Sequence, residues 1–112
     1  MTSRVTTHVL DTVAGRPATG VGVVLEVAAG TGWHPVAEGW TDVDGRVGDL
    51  GPADLRPGTY RVRFATGAWF AAAGVEAFYP EVVIPFTLAD AAAHYHVPLL
   101  LSPFAYSTYR GS

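Results

Sequence analysis

The sequence predicts an all-β fold with one short helix, on three observations. Apolar side chains alternate with period two in several stretches, turn residues recur between those stretches at short intervals, and a single segment has helical composition. Short strands separated in this way read as an antiparallel sandwich or barrel. The chain of 112 residues corresponds to one domain, 1–112, able to bury roughly 65% of the surface its unfolded form exposes.

In chain order, "AGRPATG" at 14–20 supplies the first turn. "VGVVLEVA" then places Val21, Val23, Leu25 and Val27 on one face and Gly22, Val24, Glu26 and Ala28 on the other. His34 beside Trp33 falls in a further strand and is read as a structural histidine. "DVDGR" at 42–46 is a turn, and so is "RPGTY" at 56–60, where Pro57 and Gly58 suit the centre of a type II turn. "TYRVRF" points Tyr60, Val62 and Phe64 inward and Arg61 and Arg63 outward. "GAWFAAAG" at 67–74, alanine-rich and bracketed by glycines, is the helix. "EVVIPFTL" sets Val82, Ile84, Phe86 and Leu88 on one side. The last hairpin runs from the "HYHV" strand through "SPFAYS" to "TYRGS", a chain end whose two tyrosines imply that it is docked.

Composition narrows the function classes. With 49% hydrophobic and 15% charged residues the chain is not disordered, and it has apolar surface enough to be covered by another copy of itself. Seven arginines, no lysine and ten acids give a net charge of -3, too dispersed to form a footprint for nucleic acid or a membrane surface. There is no cysteine, so disulfides and thiolate chemistry are excluded. "MTSRVTTHVLDT" lacks the apolar run of roughly 7–15 residues that a secretory signal needs, which puts the start of the mature chain near Met1 and the protein in the cytoplasm by default.

The candidate chemistry lies in the histidines His8, His34, His94 and His96. His94 and His96, two apart on a strand, share a face while Tyr95 points away. Such a pair suits either a metal ion, with His8 or Asp11 as third ligand, or a water that a neutral imidazole deprotonates near physiological pH. Arg46, directly after the "DVDG" turn, is placed to polarise a carbonyl or hold an anion. The terminal hairpin brings Ser112 towards His94 or His96, where a hydroxyl or carboxylate would fix an imidazole's tautomer.

Six stretches, "THVLDTVAGRPATGV" (7–21), "TDVDGRV" (41–47), "RPGTYRVRF" (56–64), "FYPEVVIPF" (78–86), "HYHVPLLLSPFAYSTYRGS" (94–112) and within it the closing "YRGS", resemble the 5-hydroxyisourate hydrolases, transthyretin-like enzymes of purine breakdown. The resemblance covers essentially the whole chain, and "YRGS" separates these enzymes from the hormone-carrying transthyretins. It implies a β-sandwich of two four-stranded sheets with one short helix, and a homotetramer with active sites at the dimer-dimer interface. It also implies cofactor-free, metal-free hydrolysis of 5-hydroxyisourate to 2-oxo-4-hydroxy-4-carboxy-5-ureidoimidazoline. By the same resemblance His8, Arg46, His96 and Ser112 are catalytic, while Tyr109, Arg110 and Gly111 shape the substrate pocket and His94 has no catalytic role. The alternative is a carrier that holds a planar aromatic molecule in the same channel without chemistry. Ala105 stands where a glycine is usual, a departure that matters only if the backbone there needs positive φ.

Overall fold

The computed structural model describes residues 3–112; the expected chain start at Met1 lies outside them. Strands β1 (Val5–Asp11), β2 (Arg16–Pro17), β3 (Gly22–Ala29), β4 (Gly32–Trp40) and β5 (Gly58–Phe64) precede helix α1 (Thr66–Ala72). Strands β6 (Val82–Leu88), β7 (Tyr95–Leu101) and β8 (Tyr106–Thr108) follow it. They form two four-stranded sheets, ordered β2-β1-β7-β8 and β4-β3-β5-β6.

The second sheet is antiparallel throughout, and period-two patterning decides which of its sides is buried. Val21, Val23 and Leu25 are buried as expected, Val27 is half-buried, and Val62 and Phe64 meet them across β5. Val82, Ile84, Phe86 and Leu88 also face this core, with Pro85 tolerated because β6 is an edge strand. Glu26 takes the outer face as its position dictates, yet it is only 7% exposed. Arg61, directly opposite in the register, donates to it at 2.7 Å and Arg63 at 3.4 Å. Burial pushes the Glu26 carboxyl up, but the hydrogen bond and charge of Arg61, with those of Arg63, outweigh it and leave the carboxyl below its ordinary value.

The first sheet is less simple. β1 pairs with β7 in parallel, from Val5 opposite Tyr95 to Asp11 opposite Leu101, so the expectation of a purely antiparallel arrangement is corrected here. Val5, Val9, Leu99 and Leu101 turn inward to close the core between the sheets. β8 returns antiparallel to β7, Leu101 opposite Tyr106, which realises the terminal hairpin.

Two turns refine the expectations. Gly58 does not take positive φ but opens β5 opposite Leu88, so "RPGTY" is a strand entry and no type II turn centres there. At the other hairpin, Ser102 donates to Ala105 O from its backbone N–H and its Oγ, both at 2.9 Å. No described residue other than glycine has positive φ, so alanine at 105 is accommodated without strain.

The helix starts at Thr66, one residue before the expected glycine bracket, and buries Phe70. Gly67 lies inside it because the chain passes against Pro80 there, leaving no room for a β-carbon. The second glycine, Gly74 with φ of 71°, terminates it as expected.

Candidate active site

The outer face of the first sheet carries the chemistry. Alternation along β1 puts Thr6 and His8 on this face, and the parallel register sets Thr6 directly opposite His96 on β7. His94 precedes the strand, held by a tied turn. Ala92 and Ala93 donate to Asp90 at 2.8 and 3.1 Å, Arg4 donates to Ala92 O at 2.9 Å, and Tyr95 N donates to Arg4 O at 2.9 Å. The expected shared face is realised: Thr6 Oγ1 lies 2.9 Å from His94 Nε2 and 2.8 Å from His96 Nδ1.

Arg46 arrives from the loop after β4. Asp42 Oδ1 accepts from the backbone N–H groups of Asp44 and Arg46 at 2.9 and 3.0 Å, while Asp42 N donates to Arg46 O at 2.7 Å. This short closed loop then lies along β1, with Val9 N donating to Gly45 O at 2.8 Å and Arg46 bridging to His8. Gly45 has φ of 76°, and a β-carbon there would run into Val9 O, with His8 Cδ2 close by at 3.3 Å. Only glycine lets the loop lie so near His8.

The chain end closes the site from the β8 side. Past β8 it runs back along β7 until Gly111 N donates to His96 O at 2.9 Å. Ser112 then stands in a cleft of about 280 Å³ whose walls include Thr6, Arg46, Val47, His94 and His96. His8 does not line this cleft; its backbone bridges to Arg46 and its ring acts on His96 through charge. The docked terminus read from its tyrosines is thus realised, although what ties it is the backbone bridge at Gly111.

Tyr109 and Arg110 do not enter this cleft. They line a neighbouring cavity of about 340 Å³ with Ile84, Phe86, Tyr95 and Val97, and His96 is the residue common to both spaces. Arg110 stacks its guanidinium on the Tyr95 ring, 4.7 Å from the centroid.

His96 has the electrostatics of a base. Burial lowers its pKa first, and the charges of Arg46, His8 and His94 lower it further, against a smaller opposing hydrogen bond at Thr6. The neutral ring is favoured at physiological pH. Among the described residues, no three His, Asp or Glu side chains gather closely enough to hold a metal ion, so the ion reading of the histidine pair finds no third ligand. Thr6 is the site residue that the sequence reading missed. Its signal was present, since it lies two before His8 on the same strand face, but a threonine in a strand carries no chemical mark of its own.

The class so defined is a two-sheet β-sandwich bearing a histidine and arginine cleft on one sheet face, closed by its own tail. The sequence model of the HIUase/Transthyretin family matches residues 5–111, and the chain belongs to that family. The chain is 48% identical over 106 residues to a 5-hydroxyisourate hydrolase of Salmonella dublin, covering 94% of this chain and 78% of that one. Its fold is similar to the structure of Klebsiella pneumoniae 5-hydroxyisourate hydrolase, with a TM-score of 0.86 and 39% identity over 96% of this chain and 98% of that one. It is also similar to transthyretin from Sparus aurata, with a TM-score of 0.91 and 32% identity over 96% of each chain. The fold alone therefore does not separate hydrolase from transthyretin, and the side chains of the cleft must.

Proposed function

We propose that this chain is a cofactor-free cytoplasmic hydrolase that opens the ring amide of 5-hydroxyisourate to give 2-oxo-4-hydroxy-4-carboxy-5-ureidoimidazoline. The observation that carries this reading is the convergence of His96, made less basic, with Arg46 and Ser112 in one cleft beside His8. His96 and His8 hold a water and take its proton as it attacks the carbonyl. Arg46, exposed and cationic, stabilises the oxyanion that forms, and Ser112 orients a histidine or the departing nitrogen. Gly111 seats the tail on His96, while Tyr109 and Arg110 shape the adjoining apolar space. A carrier needs a planar slot but has no use for a base with lowered pKa facing an arginine.

The working unit on this reading is a homotetramer. Support comes from the same sheet face, where half-buried Leu10 and Leu100 lie opposite each other in the register beside the histidines. A second copy packed on this face would cover those leucines and form a shared channel around the cleft.

Generating 5-hydroxyisourate in place from urate with a urate oxidase, and following its ultraviolet decay, tests the proposal. Accelerated decay with the intact protein, lost on deletion of Ser112, is the expected result. Decay at the spontaneous rate in the presence of folded protein would leave the carrier as the better account.

A further inference from the structure

Thr6 Oγ1 stands between two imidazole nitrogens, 2.9 Å from His94 Nε2 and 2.8 Å from His96 Nδ1. A hydroxyl has one proton to donate, so it donates to one ring and accepts from the other. Each choice fixes both tautomers. When Thr6 accepts from His96 Nδ1–H and donates to His94 Nε2, His96 Nε2 is free to take a proton. When Thr6 donates to His96 Nδ1 and accepts from His94 Nε2–H, His96 Nε2 already carries one.

His94 differs from His96 in being exposed, while His96 is half-buried and closed over by Gly111. Arg46 and His8 act on His96 through their charges, but a guanidinium has no acceptor atom. The bonded route from His96 outward runs through Thr6 to His94. The proposed reaction uses such a route twice, because His96 Nε2 takes a proton from the attacking water and later gives it to the departing nitrogen, and the ring stays neutral through both only if its Nδ1 proton can leave and return.

We propose that His94, Thr6 and His96 form a proton relay, in which His94 and Thr6 touch no substrate and act through His96. The inference rests on the hydrolase reading. The step balances as follows: His96 Nε2 takes a proton from the attacking water, and the His96 Nδ1–H bond breaks as its proton passes to Thr6 Oγ1. The former hydroxyl proton moves to His94 Nε2, and His94 Nδ1 releases its proton to solvent. One proton enters and one leaves, with both rings neutral at the end in their other tautomers. As His96 Nε2–H protonates the departing nitrogen the shift reverses, His94 Nδ1 taking a proton back from solvent, and the one proton released per turnover is that of the new carboxylic acid as it ionises in water.

The test compares wild type, Thr6→Val, Thr6→Ser and His94→Gln, all in dilute buffer and again with added imidazole. Thr6→Val keeps the β-branched shape and removes the hydroxyl. The expected result is a kcat loss of about 10²-fold in Thr6→Val and His94→Gln with KM little changed, recovered in imidazole, while Thr6→Ser stays close to wild type. Nitrogen-15 spectra of the unliganded protein should show the His96 tautomer balance altered in Thr6→Val and retained in Thr6→Ser. Turnover of Thr6→Val or His94→Gln at the wild-type rate in dilute buffer would overturn the relay while leaving the hydrolase intact. A slow Thr6→Val that imidazole does not rescue would also overturn it, since the hydroxyl would then be structural. A wild-type protein that never exceeds spontaneous decay would overturn the hydrolase reading and the relay together.

Discussion

His96 loses basicity through burial first and then through the positive charge of Arg46, so the pH at which it protonates lies below the ordinary 6.5. If the neutral ring is the base, kcat/KM holds level as pH falls through 6.5 and drops only further down, when the folded-state ring takes its proton. Arg46→Gln removes one of the lowering charges, so its acid limb should move up towards 6.5 while kcat also falls; a pH profile of the two proteins measures both. The same group tilts stability in the same direction. Unfolded chains protonate this histidine near 6.5 and the folded protein only lower down, so stability declines between those two points as pH is lowered. His96→Ala should cost about 10²- to 10⁴-fold in kcat and abolish that limb. The sequence offered His8, Arg46, His96 and Ser112 as candidates through their side-chain chemistry and their place in strands and turns, but their catalytic roles came from the family resemblance. Thr6 was not among the candidates, since a hydroxyl gains its meaning from two rings that lie 88 and 90 residues away.

Among the elements, the tail after β8 and the helix α1 make opposite demands on their small residues. Gly111 lies so close to the His96 ring that a β-carbon would strike Cδ2, with Cγ at 3.1 Å. Gly111→Ala should therefore push the imidazole or the tail aside and reduce kcat by about 10²-fold, the cost of a displacement near 1 Å. Thermal unfolding should change little by comparison, because the tail buries little apolar surface. In α1 the buried hydroxyl of Thr66 finds no partner, though the residue is only 1% exposed. Thr66→Val keeps the shape and removes the unpaired group, and should stabilise the fold by about 1–3 kcal/mol, read from the urea midpoint. Alternation made β3, β5 and β6 readable because each has one face on the core. The parallel pairing of β1 with β7 was not readable, as register between strands so distant in the chain leaves no local trace. Gly58 misled for a related reason: a Pro-Gly pair suits a turn, but pairing with Leu88 drew it into β5.

For the whole molecule, the cleft lies on a sheet face that also bears Leu10 and Leu100, so the proposed tetramer would tie activity to assembly. Leu100→Glu puts a charge on that face without entering the core. It should split the proposed tetramer into dimers in sedimentation and lower turnover with it, whereas an unchanged sedimentation coefficient would place the contact between copies elsewhere. Composition suggested a surface covered by another copy without naming a face, and the proposal of Leu10 and Leu100 for it rests on a register that the sequence does not print.

The two sheets also differ in how far along the chain their strands must search for one another. β3, β4, β5 and β6 join neighbours in sequence order, apart from the β3-β5 contact over the intervening β4. β1 must wait for β7, whose Tyr95 pairs with Val5 and is synthesised 90 residues after it. On a ribosome the second sheet can be complete while β1 is paired only with the two residues of β2, opposite Leu10 and Asp11, and its edge from Val5 to Val9 still lacks β7, a nascent state exposed to aggregation. Because Thr6 and His8 ride on that waiting strand, catalytic competence comes late in the chain's synthesis, and slow translation of the segment before β7 would lengthen the vulnerable interval without altering the finished protein.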